Sequence, residues 1–139
     1  MPAIAADLAA ADVLGSLGHA VHAVTDVTGY GLAGHSWEMA ERSGVRAIVD
    51  TASLECYPGA RRIADAGHRT GGDQRNRDYL AGHLESSATP GGEALCFDPQ
   101  TSGGLLAAVD PSAAGNLLAT DGWWRVGELG EGDALLVMR

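Results

Sequence analysis

The sequence predicts an α+β fold, a mixed β-sheet covered by helices. Three observations carry that expectation. Short apolar segments of strand character recur near residues 22–26, 45–50, 93–97, 105–109, 123–129 and 134–138. Helix-patterned segments rich in alanine and leucine lie between them. The last two strand segments are joined by Gly130-Glu131-Gly132-Asp133, which reads as a hairpin and argues against a purely parallel sheet.

The elements follow in order. Residues 3–17 carry Ile4, Leu8, Val13, Leu14 and Leu17 among alanines, a helical pattern that Gly15 and Gly18 weaken at its end. His19 and His22 flank the first strand; at that spacing on a strand they point to opposite faces, so no metal pair is expected. A helix starting near Gly29 or Leu32 runs to about Ser43, with Gly44 as its stop. Val45–Asp50 alternates and reads as a strand. Gly59–Gly67 is a short helix, in which Arg61 and Arg62 are expected on a solvated face. His68–Asn76 is a glycine- and arginine-rich loop, Arg77 opens a helical turn, and Glu85–Gly92 is polar enough to be disordered. For Glu93–Phe97 the pattern leaves strand and helix open. Asp110 and Pro111 mark an N-cap and first helical position, and that helix runs to about Thr120.

Composition narrows the chemistry. The 139 residues suit one domain, residues 1–139, and with 45% hydrophobic but 5% aromatic residues the core must be filled largely by Ala, Val and Leu. The net charge is −9, and all nine basic residues are arginines. With no lysine, no side-chain amine can serve as Schiff base or phosphate-loop cation. The acidic balance argues against a duplex nucleic-acid partner but is compatible with a phosphate site whose positive charge comes from a metal. No stretch reaches the ~18 apolar residues of a membrane span, and the start lacks the basic residues of a secretory signal. Cys56 and Cys96 form neither a CxxC pair nor a zinc pattern; Cys96 is expected as a core thiol, and a reducing, cytoplasmic setting fits.

Two stretches carry candidate chemistry. The first is Thr25-Asp26-Val27-Thr28-Gly29-Tyr30-Gly31-Leu32-Ala33-Gly34-His35: a strand end, a carboxylate, a glycine turn, a helix. Magnesium takes one or two carboxylates plus phosphate oxygens, and a helix start offers free N–H groups to an anion, so Asp26, Thr25, Thr28, Gly29 and Gly31 are candidates. An Asp ahead of a helix also reads as an N-cap. His35, one turn into the helix, is expected as a packed or surface histidine. The second stretch is Asp98-Pro99-Gln100-Thr101-Ser102-Gly103-Gly104, where a tight turn and a ligand loop both fit the pattern.

Together, these motifs resemble the two hallmarks of the C-terminal half of selenophosphate synthetase (selenide, water dikinase), within the wider group similar to aminoimidazole ribonucleotide synthetase. Glu38-Met39-Ala40, Ser43-Gly44-Val45, Pro58-Gly59-Ala60, Gly71-Gly72, Arg75-Asn76 and Tyr79-Leu80 fall between them in the expected order, and the resemblance covers about Val21 to Leu129. It implies an α+β fold like the C-terminal domain of that synthetase. It implies an enzyme that converts selenide, ATP and water to selenophosphate, AMP and phosphate with magnesium. Asp26 would contribute to the metal site, and Thr25, Thr28, Gly29, Gly31, Thr101, Ser102, Gly103 and Gly104 to the nucleotide cleft.

The chain departs from the family pattern in lacking the N-terminal catalytic half, with its lysine and its catalytic cysteine or selenocysteine. Tyr30 also stands where phenylalanine is common. No catalytic residue is therefore assigned. The implied partner is an N-terminal catalytic domain in a homodimeric enzyme, without nucleic acid or membrane, and the chain alone is expected to be inactive. Two alternatives stand beside this: a non-catalytic binding or regulatory module, and a C-terminal domain from a relative such as thiamine-monophosphate kinase or the hydrogenase maturation dehydratase.

Overall fold

The computed structural model describes residues 2–139, with side chains from residue 9 onward. Among the described residues the helices are α1 (Pro2–Leu17), α2 (Gly31–Ser43), α3 (Ala60–Asp65), α4 (Asp73–Tyr79), α5 (Pro90–Phe97) and α6 (Pro111–Leu118). The strands are β1 (Val21–Asp26), β2 (Arg46–Val49), β3 (Leu84–Ser86), β4 (Leu105–Val109), β5 (Gly127–Gly130) and β6 (Leu135–Met138). Ile4 and Leu8 of the expected helical pattern lie outside the described side chains.

The strands divide between two sheets. One is four-stranded, in the order β3-β6-β2-β5, and the other is an antiparallel ribbon of β1 and β4. In the larger sheet β6 runs parallel to both β2 and β3, while β5 runs antiparallel to β2. The sheet is mixed, as expected, but not because of a hairpin. β5 and β6 do not pair: they flank β2 on opposite sides, with both Gly130 and Leu135 opposite Arg46. Two strands either side of a third lie about 9.5 Å apart, a gap the intervening residues span easily. A glycine-rich link between two apolar runs does not by itself distinguish a hairpin from an arch over a neighbouring strand.

The core lies where α2 meets β2, β6 and α5. Ala33, Trp37 and Ala40 of α2 pack with Ala47, Val49, Leu136, Met138, Cys96, Phe97 and Leu80, all buried. Alternate residues of β2 and β6 face this core. Cys96 is the expected core thiol, and burial pushes it up to about 12. Cys56 is exposed and both cysteines are free. Trp37 also stacks on His83, their ring centroids 4.3 Å apart.

The helix ends obey local chemistry. Gly44 closes α2 at φ 63°. Asp110 accepts the Ser112 N–H at 2.9 Å and Pro111 opens α6. Several boundaries differ from expectation. Glu85–Gly92 is ordered as β3 and the start of α5, where Thr89 caps by accepting the Gly92 N–H at 3.1 Å and Pro90 takes the first turn. Glu93–Phe97, counted among the strand segments, is helical, because that cap starts α5 upstream of it. Helix α4 starts at Asp73, inside the expected loop, and β5 covers only the end of the segment from Trp123. Arg61 is not simply solvated: its guanidinium donates to the backbone oxygens of Thr51 and Leu54 at 3.0 and 3.4 Å.

Candidate functional site

The two motifs, more than sixty residues apart in the chain, meet at the end of the ribbon. Pairing of β1 with β4 sets Asp26 opposite Leu105, and the loops continue the contact beyond the strands. Val27 N–H donates to Gly104 O at 2.9 Å, and Gly103 N–H returns a bond to Val27 O at 3.1 Å. Thr28 O accepts from both Gly31 N–H at 2.9 Å and Gln100 N–H at 3.0 Å.

Two glycines permit this approach. Gly31 opens α2 at φ 69°, and a Cβ there would stand 2.5 Å from Cys96 O and 2.9 Å from Asp98 O. A Cβ on Gly103 would stand 2.5 Å from Val27 O. Both glycines therefore serve loop-on-loop packing. By contrast Gly29 and Gly104 have open space where a Cβ would be, and Gly29 is exposed.

A third segment locks the pair. Asn76 is wholly buried, and its amide donates to Gly29 O at 3.0 Å and Phe97 O at 2.9 Å. Its Oδ1 is left without a partner. Pro99 packs against Gly72, bringing the residues before α4 onto the second loop. Beneath them Arg77 reaches Asp73 at 2.7 Å and Glu93 at 2.8 Å and lies over the Phe97 ring. Burial alone would push the Glu93 carboxyl up; hydrogen bonds from Ser86 and Arg77, with the Arg77 charge, outweigh it and hold the group below its ordinary value.

Asp26 ends β1 and is exposed, and it does not cap α2, whose N-cap position is Tyr30 without a side-chain bond. Thr25 is half-buried and its hydroxyl donates to Asp26 O at 3.3 Å. Thr101, Ser102 and Gly103 are exposed. Thr28 is half-buried, with its Oγ1 3.1 Å from Nε2 of His35. His35, expected as a packed or surface histidine, is packed, and it also bonds to Thr28 of its own motif; Asn76 and Gln100 were not singled out as site residues at all. Nothing local marks Asn76, since its partners are backbone oxygens far away in sequence.

Among the described residues no group of three or more His, Cys, Asp or Glu could hold a metal ion. Asp26 is a single exposed carboxylate, and a magnesium ion takes one or two carboxylates with further oxygens. A cleft of about 320 Å³ lies to one side, between α3, α4 and α5, and shares only Asp98 with the second loop.

A family model described as AIR synthase related protein, C-terminal domain, matches residues 3–138. The chain belongs to that family. Within it, the chain is 45% identical over 84 residues to selenide, water dikinase of Pseudomonas straminea, and 46% identical over 84 residues to that of Dechloromonas aromatica. Each match takes in 59% of this chain but 24% of the relative, so the chain answers to about a quarter of the length of those curated proteins. Among solved structures, AaThiL complexed with AMPPCP and TMP superposes with TM-score 0.50 at 16% identity, covering 91% of this chain and 33% of that one. At that identity the likeness concerns the fold alone. The α+β expectation and the resemblance drawn from the two motifs both stand. No helix among the described residues is long and apolar enough to cross a membrane.

Proposed function

We propose that this AIR synthase related domain is the C-terminal domain of an ATP-dependent selenide, water dikinase. In that reading residues 1–139 form one domain, which closes one side of a magnesium–ATP phosphate cleft and is inactive alone. Asp26 offers one carboxylate to a magnesium ion shared with an N-terminal catalytic domain. The exposed loop edges at Thr28-Gly29 and Thr101-Ser102-Gly103-Gly104, with Thr25 and Gly31 behind them, face the nucleotide. Bound magnesium would neutralise phosphate charge; this chain's residues would bind and orient it. The enzyme would be a cytoplasmic homodimer.

The observation that carries the reading is the interlocking of the two motifs with Asp26 left exposed and uncommitted beside them. A structural aspartate would be capping or paired. The identity of about 45% to selenide, water dikinases supports that substrate over thiamine monophosphate.

The test is selenide-dependent AMP formation from ATP and magnesium by the chain alone and joined to the N-terminal portion of the Pseudomonas straminea enzyme. Activity in the joined protein only is expected. Inactivity in both, with the joined protein folded, contradicts the assignment; activity of the chain alone contradicts the division of labour.

A further inference from the structure

Tyr30 and Tyr79 stack on each other at the surface, beside the first loop. Their ring centroids are 4.9 Å apart, with the planes 28° from parallel, and the two residues are 43% and 40% exposed. The pair is held from behind. Tyr30 is the N-cap residue of α2, and Gly34 lets it lie back on the helix, since a Cβ there would collide with Tyr30 Cβ. Tyr79 ends α4, which Asn76 and Arg77 tie to Gly29, Phe97 and Glu93. The Tyr79 hydroxyl donates to Glu38 Oε1 at 3.4 Å. Glu38 and the exposed Glu41 are neighbours on one face of α2. Burial pushes the Tyr79 phenol up and the charges of Glu38 and Glu41 push it further, so both carboxylates bear on this ring. Among the described residues no arginine comes within ion-pair distance of either carboxylate. Arg75, one turn before Tyr79, reaches toward Gly72, and the one cation–π contact among the described residues is Arg77 over Phe97.

We propose that the Tyr30–Tyr79 pair, with Glu38 and Glu41, is a docking surface for an arginine side chain of the catalytic domain that closes over the first loop. Exposed aromatic rings on a rigid backing are the material of binding hot spots. The carboxylates choose the guest. They repel the phosphates of a nucleotide, which argues against a platform for a nucleobase, and they attract a cation. A guanidinium suits both parts of the surface: its plane stacks on an aromatic face while its N–H groups reach a carboxylate. A lysine ammonium is a strongly hydrated point charge and gains less from a flat ring. A second copy of this chain is a poorer guest, because its net charge of −9 repels its like. The source of the arginine follows from the place of the pair. Tyr30 stands four residues after Asp26 and next to the exposed Gly29, so a domain that covers Asp26 also covers the rings. The chain answers to 24% of its curated relative, which leaves ample length outside it for such a domain.

The proposal rests on the functional reading for the source of the arginine but not for the chemistry of the surface, and the experiment separates the two. The chain, labelled in its tyrosine rings, is titrated in NMR with N-acetylarginine amide, N-acetyllysine amide and AMP in turn. Tyr57, 85% exposed and in none of the aromatic pairs, is the internal reference. The arginine probe should shift the Tyr30 and Tyr79 rings more than Tyr57, and more than the other two probes do. Y79L should weaken that binding about 2–5-fold, read on the Glu38 and Glu41 amides. E38Q with E41Q, which leaves both rings in place, should weaken it as well. In the protein joined to the N-terminal portion of the Pseudomonas straminea enzyme, Tyr30 and Tyr79 should no longer answer the arginine probe, while Tyr57 still does. Shifts no larger than those of Tyr57, a lysine or AMP response equal to that of arginine, or full affinity in Y79L or in E38Q with E41Q would overturn the docking chemistry. Rings still open to the probe in the joined protein, or shielded in the chain alone as its concentration rises, would overturn the assigned occupant. A covered pair in a joined protein that forms no AMP from selenide and ATP would instead sink the functional reading and leave the docking surface standing.

Discussion

The four-stranded sheet and the two-stranded ribbon are built from similar sequence and finished to different degrees. In β2 and β6 every second residue is buried under α2 and α5. In β1 and β4 no residue is fully buried, and Val24 is 45% exposed. Two-stranded ribbons are marginal unless something packs against them. The candidate site lies where the finished part meets the unfinished one: Thr28 and Gly31 are tied to the core through Asn76, Phe97 and Gln100, while Asp26 projects from the ribbon's end. Rigid backing and an open edge are what a domain needs in order to offer ligands to a cleft it does not enclose.

That contrast can be broken by mutation. The largest effect is expected for Phe97→Ala, which empties a fully buried aromatic site and should cost about 3–5 kcal/mol in urea unfolding. Next comes Asn76→Ala, which leaves the Gly29 and Phe97 carbonyls without their donor and should cost roughly 2–4 kcal/mol. A cost under about 0.5 kcal/mol would mean that the two motifs hold together without the staple. Glu93 provides a pH signature. Its carboxyl is held below the ordinary value of 4.5 in the folded chain, so its contribution is complete above that value. The contribution is lost as pH falls through the lowered folded value, and Glu93→Gln should flatten that part of the acid-unfolding curve. An unchanged curve would mean that the Arg77–Glu93 pair adds nothing. The smallest effect is expected on the ribbon, where Val24→Ala should change stability by no more than about 0.5 kcal/mol. A loss matching that of Phe97→Ala would erase the distinction between the two regions.

The contrast also separates what was legible in the sequence from what was not. Local chemistry was readable: the Gly44 stop, the Asp110-Pro111 start and the alternation of β2 all appear where expected. The grouping of Asp26 with the second loop was readable too, through the family motifs. Thr89-Pro90 carried a capping signal as good as Asp110-Pro111, but the polar residues around it masked the helix that follows. The arch of β5 to β6 over β2 was hidden because pairing partners are a tertiary matter that turn composition does not encode. Asn76 was hidden for a related reason: its value lies in the backbone oxygens it meets, which leave no pattern in the chain. His35 was readable as a packed residue of the first motif, but its contact with the Thr28 hydroxyl was not.

The central claim is that Asp26 serves the ligand and not the fold. The direct measurement is selenide-dependent AMP formation by the joined enzyme carrying Asp26→Ala, beside the urea midpoint of this chain with the same change. The account predicts turnover reduced to background with the midpoint unmoved, because the Asp26 side chain is exposed and caps no helix. Normal turnover in the variant would contradict it.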